Sequence, residues 1–118
     1  MRALDVAGQN NPQQFLMHGD FGTHNFIVVA GKKGNPIIRV IDPMPVIGDP
    51  LYDFYFALLS DPEIFTKVTP EYVFGYFFGW GRDYKHALFV IALYVRMSRA
   101  WLYDHEHFDA YVKLYEKI

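Results

Sequence analysis

Cysteine is absent from all 118 residues, which excludes a disulfide scaffold and thiol chemistry. An excess of positive charge is also lacking. The formal net charge is −2, so no basic field draws the chain to nucleic acid. No apolar run is long: the longest, Ala87 to Val95, falls far short of the roughly 20 residues that cross a bilayer. Residues 1–15 lack a signal-peptide pattern, because Gln9-Asn10-Asn11-Pro12-Gln13-Gln14 is polar and turn-like. Repeats, linkers and low-complexity tracts do not occur. These absences predict a soluble cytoplasmic protein with neither nucleic acid nor membrane as partner. What abounds is apolar and aromatic surface, at 52% and 19% of residues. That suits either a dense core or a face built to be covered by another lobe or a second copy.

The densest chemistry lies in His18-Gly19-Asp20-Phe21-Gly22-Thr23-His24-Asn25. Asp20 and Asn25 stand in the order H-x-D-x-x-x-x-N, the interval of a kinase catalytic loop. Phosphoryl transfer asks for a carboxylate to orient the acceptor hydroxyl and take its proton. It also asks for hard oxygen ligands to magnesium. Asp20 supplies the first and the Asn25 amide part of the second.

The next segment reads as a β-hairpin. Phe26–Ala30 is apolar and β-branched, Gly31-Lys32-Lys33-Gly34-Asn35-Pro36 is a turn cluster, and Ile37–Ile41 returns. Antiparallel pairing would bring Asp42 back to Asn25 across sixteen intervening residues. Strands apolar at nearly every position predict cover on both faces.

Beyond Asp49 the hydrophobic period becomes helical. Asp49-Pro50 opens a helix to about Ser60, with Leu51, Phe54, Tyr55, Leu58 and Leu59 on one face, and Asp61-Pro62 ends it. Thr69-Pro70-Glu71 starts a second helix through about Phe78, closed by Gly79-Trp80-Gly81. A long third runs from about Asp83 to Tyr103, and a fourth from about His107 to Lys117. The expected fold is α+β and mainly helical, a hairpin packed on about four helices. It forms one domain: a lead-in over 1–15, the loop and hairpin over 16–48, and a helical part over 49–118.

The run HGDFGTHNFIV…VIDP…GDPLYD resembles the catalytic C-terminal lobe of the aminoglycoside phosphotransferase family, kinases of antibiotics and other small molecules. The HGDFG-x-x-N form is especially similar to that of hygromycin B phosphotransferase. The resemblance implies Asp20 as catalytic base, Asn25 and Asp42 as magnesium ligands, and Ile27 and Ile41 as the floor of an adenine pocket. It also implies that His18 packs behind the loop and that Asp49 opens the next helix and braces the loop. ATP (or GTP) and Mg2+ would be the phosphoryl donor and its metal, and the acceptor a small hydroxyl compound, antibiotics among them. Gly22 would let the loop turn closely, and Asp53, one turn beyond Asp49, would support the site. Asp104 and Glu106 would meet amino groups of an aminocyclitol-type acceptor, while Tyr103, Trp101 and Trp80 either pack in the helical core, the favoured reading for each, or stack on a sugar.

The family's glycine-rich loop, its phosphate-contacting lysine and that lysine's glutamate partner have no counterpart in these residues. The nucleotide-binding N-terminal lobe is therefore expected to be missing from the chain as it stands, and the chain alone to be weak or inactive. Met1 is then an expression boundary, a fragmentary reading frame or the start of a short protein. Two other readings compete. A kinase-like lobe could serve as a non-catalytic binding or regulatory module. His18, Asp20 and His24, as H-x-D-x-x-x-H, could instead hold a hydrolytic transition metal, though that leaves Asn25 and Asp42 idle. Otherwise His24 is incidental, and Asp104-His105-Glu106-His107 with Asp109 is a polar helix junction.

Overall fold

A computed structural model describes residues 14–76 and 81–118. Four short strands precede four helices: β1 (Phe15–Met17), β2 (Phe26–Ala30), β3 (Pro36–Val40), β4 (Val46–Gly48), α1 (Pro50–Leu58), α2 (Pro70–Phe74), α3 (Arg82–Tyr103) and α4 (His105–Lys117). The mainly helical α+β architecture is the expected one. Trp80 and the expected Gly79-Trp80 helix end lie outside the described residues.

The strands form two antiparallel pairs, β2 with β3 and β1 with β4. The first is the expected hairpin, in the register Phe26↔Val40 to Ala30↔Pro36. The second is new. Phe15–Met17 pairs with Val46–Gly48, and three residues are too few to show a strand's period in sequence. Cover on both hairpin faces is not found among the described residues, where Val28 and Ile38 are 68% and 63% exposed. The helices pack on one another instead, which leaves the ribbon of β2 and β3 projecting with its β-branched side chains toward solvent.

The core belongs to the helices. In α1, Asp49 accepts from the Leu51 amide at 2.8 Å and Pro50 occupies the first turn, where its missing N–H costs nothing. Leu51, Tyr55, Phe56 and Leu59 are buried from α1 and its cap, against Leu88, Phe89, Ala92 and Leu93 of α3. Phe89 is the hub: Tyr55, Phe65 and Phe74 present rings to it at 5.5, 5.5 and 5.3 Å between centroids, all edge-to-face. Such geometry sets the positive ring edge on a negative face, adding to the burial of the rings themselves.

The second helix ends earlier than Phe78. Gly75 is its C-cap, and the Tyr76 amide turns back to Val73 in a tighter bond, because glycine is a poor helix interior. Between α1 and α2 an unanticipated 3-10 turn, Pro62–Thr66, is capped by Asp61 through the Glu63 amide at 3.1 Å. The fourth helix begins at His105 rather than His107, since Asp104 is its N-cap. Among the described residues no helix is long and apolar enough to cross a membrane.

Candidate active site

The two strand pairs set two loops side by side. One is His18–Asn25, leaving β1; the other is Ile41–Pro45, joining β3 to β4. Three bonds tie them: the Ile41 amide to the Asn25 carbonyl at 2.9 Å, the Met44 amide to the His18 carbonyl at 2.8 Å, and His18 Nε2 to the Ile41 carbonyl at 2.9 Å. Asp42 lies between the first and second of these anchors, exposed and in the left-handed region at φ 52°. Aspartate tolerates that region better than most residues, yet the conformation still costs about 1 kcal/mol or more. The flanking bonds impose it.

The His18 loop is held from below by α1. Asp53, buried on the first turn, accepts the His18 amide on one carboxylate oxygen at 2.8 Å and the Gly19 amide on the other at 3.1 Å. Gly19 itself has φ 79°, and a β-carbon there would stand 2.0 Å from the Met44 carbonyl oxygen, so only glycine fits between the loops. Besides capping α1, Asp49 accepts the Tyr84 hydroxyl at 2.7 Å. Burial, followed by the Asp49 bond and charge, pushes the Tyr84 phenol well above its ordinary value and keeps it a donor.

His18 uses both of its ring nitrogens on the two loops. Its Nδ1 receives the Asp20 amide at 3.3 Å while Nε2 donates to Ile41, which assigns the proton to Nε2. Both ring nitrogens are thereby used on backbone, so His18 has none to give the transition metal of the H-x-D-x-x-x-H reading. Among the described residues no three histidine, aspartate or glutamate side chains converge on a common point. Magnesium shared with phosphates needs no such cage, since it commonly takes one or two protein ligands and completes its shell with phosphate and water.

The Asp20 carboxylate accepts from three side chains. Asn25 Nδ2 donates to its backbone carbonyl at 2.9 Å and to Oδ2 at 3.1 Å, and His24 Nε2 stands 3.2 Å from the same Oδ2. With the Asn25 amide nitrogen so committed, its oxygen is the atom left to offer a cation. Arg99 of α3 reaches across 79 residues of sequence to place Nη1 2.6 Å from Asp20 Oδ1. Burial alone would raise the Asp20 carboxyl. The bonds from Arg99 and His24, the Arg99 charge and the Asn25 amide outweigh it and hold the group below its ordinary value.

A second arginine fixes the end of the loop. Arg96 Nη2 donates to the Phe56 carbonyl at 2.6 Å and to Ser60 Oγ at 2.8 Å, and its guanidinium lies 3.7 Å over the Phe56 ring. Ser60 Oγ in turn accepts the Thr23 amide at 3.0 Å. Arg96 thus satisfies one carbonyl in the last turn of α1, that of Phe56, and through Ser60 ties that helix end to the loop. Gly22 has ordinary extended backbone, but a β-carbon there would meet the His24 ring at 2.5 Å and Arg96 Nη2 at 2.8 Å. A side chain at 22 would therefore have to displace the His24 ring and the Arg96 guanidinium, although the dihedrals are open to any residue.

Ile27 and Ile41 share a hairpin face with Asn25, because Ile27 opposes Arg39 and Ile41 opposes Asn25. Both are exposed. Asp104 and Glu106 stand at the junction of α3 and α4. Asp104 Oδ2 lies 2.5 Å from His107 Nδ1, and that bond, ahead of the other effects, holds its carboxyl below the usual range.

Sequence reading missed Arg99, Arg96, Ser60 and the part of His24. The prior signal was the pair of arginines three apart, which end the apolar run Ala87 to Val95 of α3.

Two outcomes follow from these bonds. Asp53→Ala strands two loop amides and is expected to lower unfolding stability by roughly 2–4 kcal/mol, read by chemical denaturation. A loss under about 0.5 kcal/mol would mean that water or a neighbour replaces the carboxylate. Asp20 has a depressed folded value, so the stability it adds is whole above its ordinary 3.8 and disappears as pH falls from there through the lower folded value. The stability gap between wild type and Asp20→Asn should therefore close only below about pH 4. A gap that closes between pH 5 and 7 would contradict the ion pair.

Comparison with known proteins joins this geometry to a family. No curated protein and no solved structure matches the chain. The family model of the phosphotransferase enzyme family matches residues 1–86, a span that holds Asp20, Asn25, Asp42, Asp49 and Asp53 and stops inside α3. With most of its length and both site loops inside that match, the chain belongs to the phosphotransferase enzyme family.

Proposed function

We propose that the chain is the catalytic lobe of a small-molecule kinase, moving the γ-phosphoryl of ATP or GTP to a hydroxyl of a small acceptor such as an aminoglycoside. The observation that carries this reading is Asp42, held at φ 52° between backbone anchors that set it beside Asn25 and the Asp20 loop. Strain of that kind at a carboxylate is a mark of a working site. An amide oxygen and a carboxylate form a hard-oxygen donor pair of the kind that suits magnesium on phosphates. When bound, the ion would neutralise phosphate charge.

Each remaining role falls to the chain's own groups. Asp20 orients the acceptor hydroxyl and receives its proton. Asn25 positions Asp20 through Nδ2 and presents its oxygen to the cation. His18 and Asp53 fix the loop so that this alignment costs no reorganisation during transfer. Ile27 and Ile41 offer an apolar surface on the Asn25 face of the hairpin, where a purine would lie. A nucleotide-binding lobe seated against this exposed face would complete the enclosure. Asp104 and Glu106, at the junction of α3 and α4, would serve a cationic acceptor. The closer likeness to hygromycin B phosphotransferase rests on the HGDFG-x-x-N form of the loop.

Titration calorimetry with ATP, with and without magnesium, tests the reading. Wild type should bind ATP in a magnesium-dependent way. Asp42→Asn keeps a residue that accepts the left-handed backbone, yet removes the charge, and should weaken magnesium-dependent binding at least about ten-fold. Equal affinity in the two proteins would remove Asp42 from the metal site. Failure of folded wild type to bind millimolar ATP would argue against the kinase reading for this chain.

A further inference from the structure

We propose that Arg99 is a catalytic residue, the guanidinium that neutralises the phosphoryl group as it passes to the acceptor. The proposal rests on the kinase reading above and adds a residue to it. Arg99 lies beyond residues 1–86, so the family match assigns it no role.

The argument begins with the lone pairs of Asp20. An ionised carboxylate has about four acceptor sites, two on each oxygen. Oδ2 receives both Asn25 Nδ2 and His24 Nε2, at 3.1 and 3.2 Å, and is filled. Oδ1 receives only Arg99 Nη1, at 2.6 Å. The acceptor hydroxyl that Asp20 orients must therefore come to Oδ1, the oxygen that Arg99 already holds. Its own hydrogen bond would be about 2.7 Å long. Two partners of one oxygen at such lengths stand roughly 3–5 Å apart, so the attacking oxygen and the phosphorus it joins pass beside the guanidinium.

Arg99 is also the arginine with capacity to spare. Arg96 spends Nε and Nη2 on the Phe56 carbonyl and Nη2 again on Ser60. Arg99 commits one nitrogen to Asp20, lies 5.1 Å from the Phe56 ring centre, and keeps 41% of its side chain exposed. A planar fork with several donors matches the oxygens of a phosphoryl group, which carry the developing charge. In the step, the acceptor oxygen forms a bond to the γ-phosphorus while the bond from that phosphorus to the bridging oxygen breaks. Its electron pair leaves on the nucleoside diphosphate, and the hydroxyl proton goes to Asp20. Arg99 contacts the equatorial oxygens throughout and neither gains nor loses a proton.

The test uses a planar mimic of the phosphoryl group. ADP with magnesium is titrated into the full chain with and without aluminium fluoride, and bound fluoride is read by 19F NMR. The measured quantity is the ratio of the two affinities. In wild type the fluoride complex should tighten binding by about ten-fold or more. Arg99→Gln should bring the ratio near one, and Arg99→Lys, a point charge without the fork, to an intermediate value, with each variant's fold checked by thermal unfolding. A ratio in folded Arg99→Gln equal to wild type overturns the proposal and leaves Arg99 as a structural partner of Asp20. Absence of ADP binding by wild type itself is a different failure, one that removes the kinase reading and this proposal together.

Discussion

The grip of Asp53 on the His18 and Gly19 amides is the interaction on which the rest of the site depends. It joins the rigid part of the molecule, α1 and its aromatic core, to a loop that has little core of its own. Both carboxylate oxygens are used, and a carboxylate bonding to backbone N–H is stronger than a neutral pair. From this fixed point the chain reaches Asp20 in one residue. His18, pinned at its amide, then uses both ring nitrogens to set the Asp20 amide and the Ile41 carbonyl. One helix-borne side chain thus determines the placement of two loops.

Electrostatics at the far end of the loop depend on a second helix. Asp20 is 15% exposed, and burial of its charge is offset by Arg99, His24 and Asn25 together. An aspartate so held is a better director of a hydroxyl than a strong base. That suits phosphoryl transfer, in which little proton transfer is needed until the new bond is well advanced. Positioning carries most of the catalytic effect in such chemistry; of the described residues with positive φ, Gly19 and Asp42 stand where the two loops meet, while Lys33 and Gly34 make the hairpin turn.

Local chemistry was legible in the sequence, and distant pairing was not. Asp20 and Asn25 are five residues apart and the hairpin turn is short, so their proximity followed from spacing alone. The Asp49-Pro50 cap and most of the α1 face were readable for the same reason, since capping and periodicity are properties of neighbours, although Phe54, expected on that face, is exposed and Phe56 is buried in its stead. Asp53 could be named as support from its place one turn beyond Asp49, but the amides it holds lie 35 and 34 residues upstream. Arg99 meets Asp20 only after α3 has packed on α1, and no pattern in sequence encodes that angle. Strands β1 and β4 are three residues each, shorter than any alternation that could mark them. The hairpin misled in the other direction: its continuous apolar pattern predicted cover, and the described residues leave it open.

The central claim is that Asp20, Asn25 and Asp42 form one assembled cation-and-phosphate site. Paramagnetic broadening by Mn2+–ATP in an amide NMR spectrum of the full chain tests it most directly. Selective loss of the Asn25 and Asp42 amide signals, with α4 signals intact, is the result this account predicts. Broadening centred on Asp104 and Glu106, or none at saturating nucleotide, would contradict it.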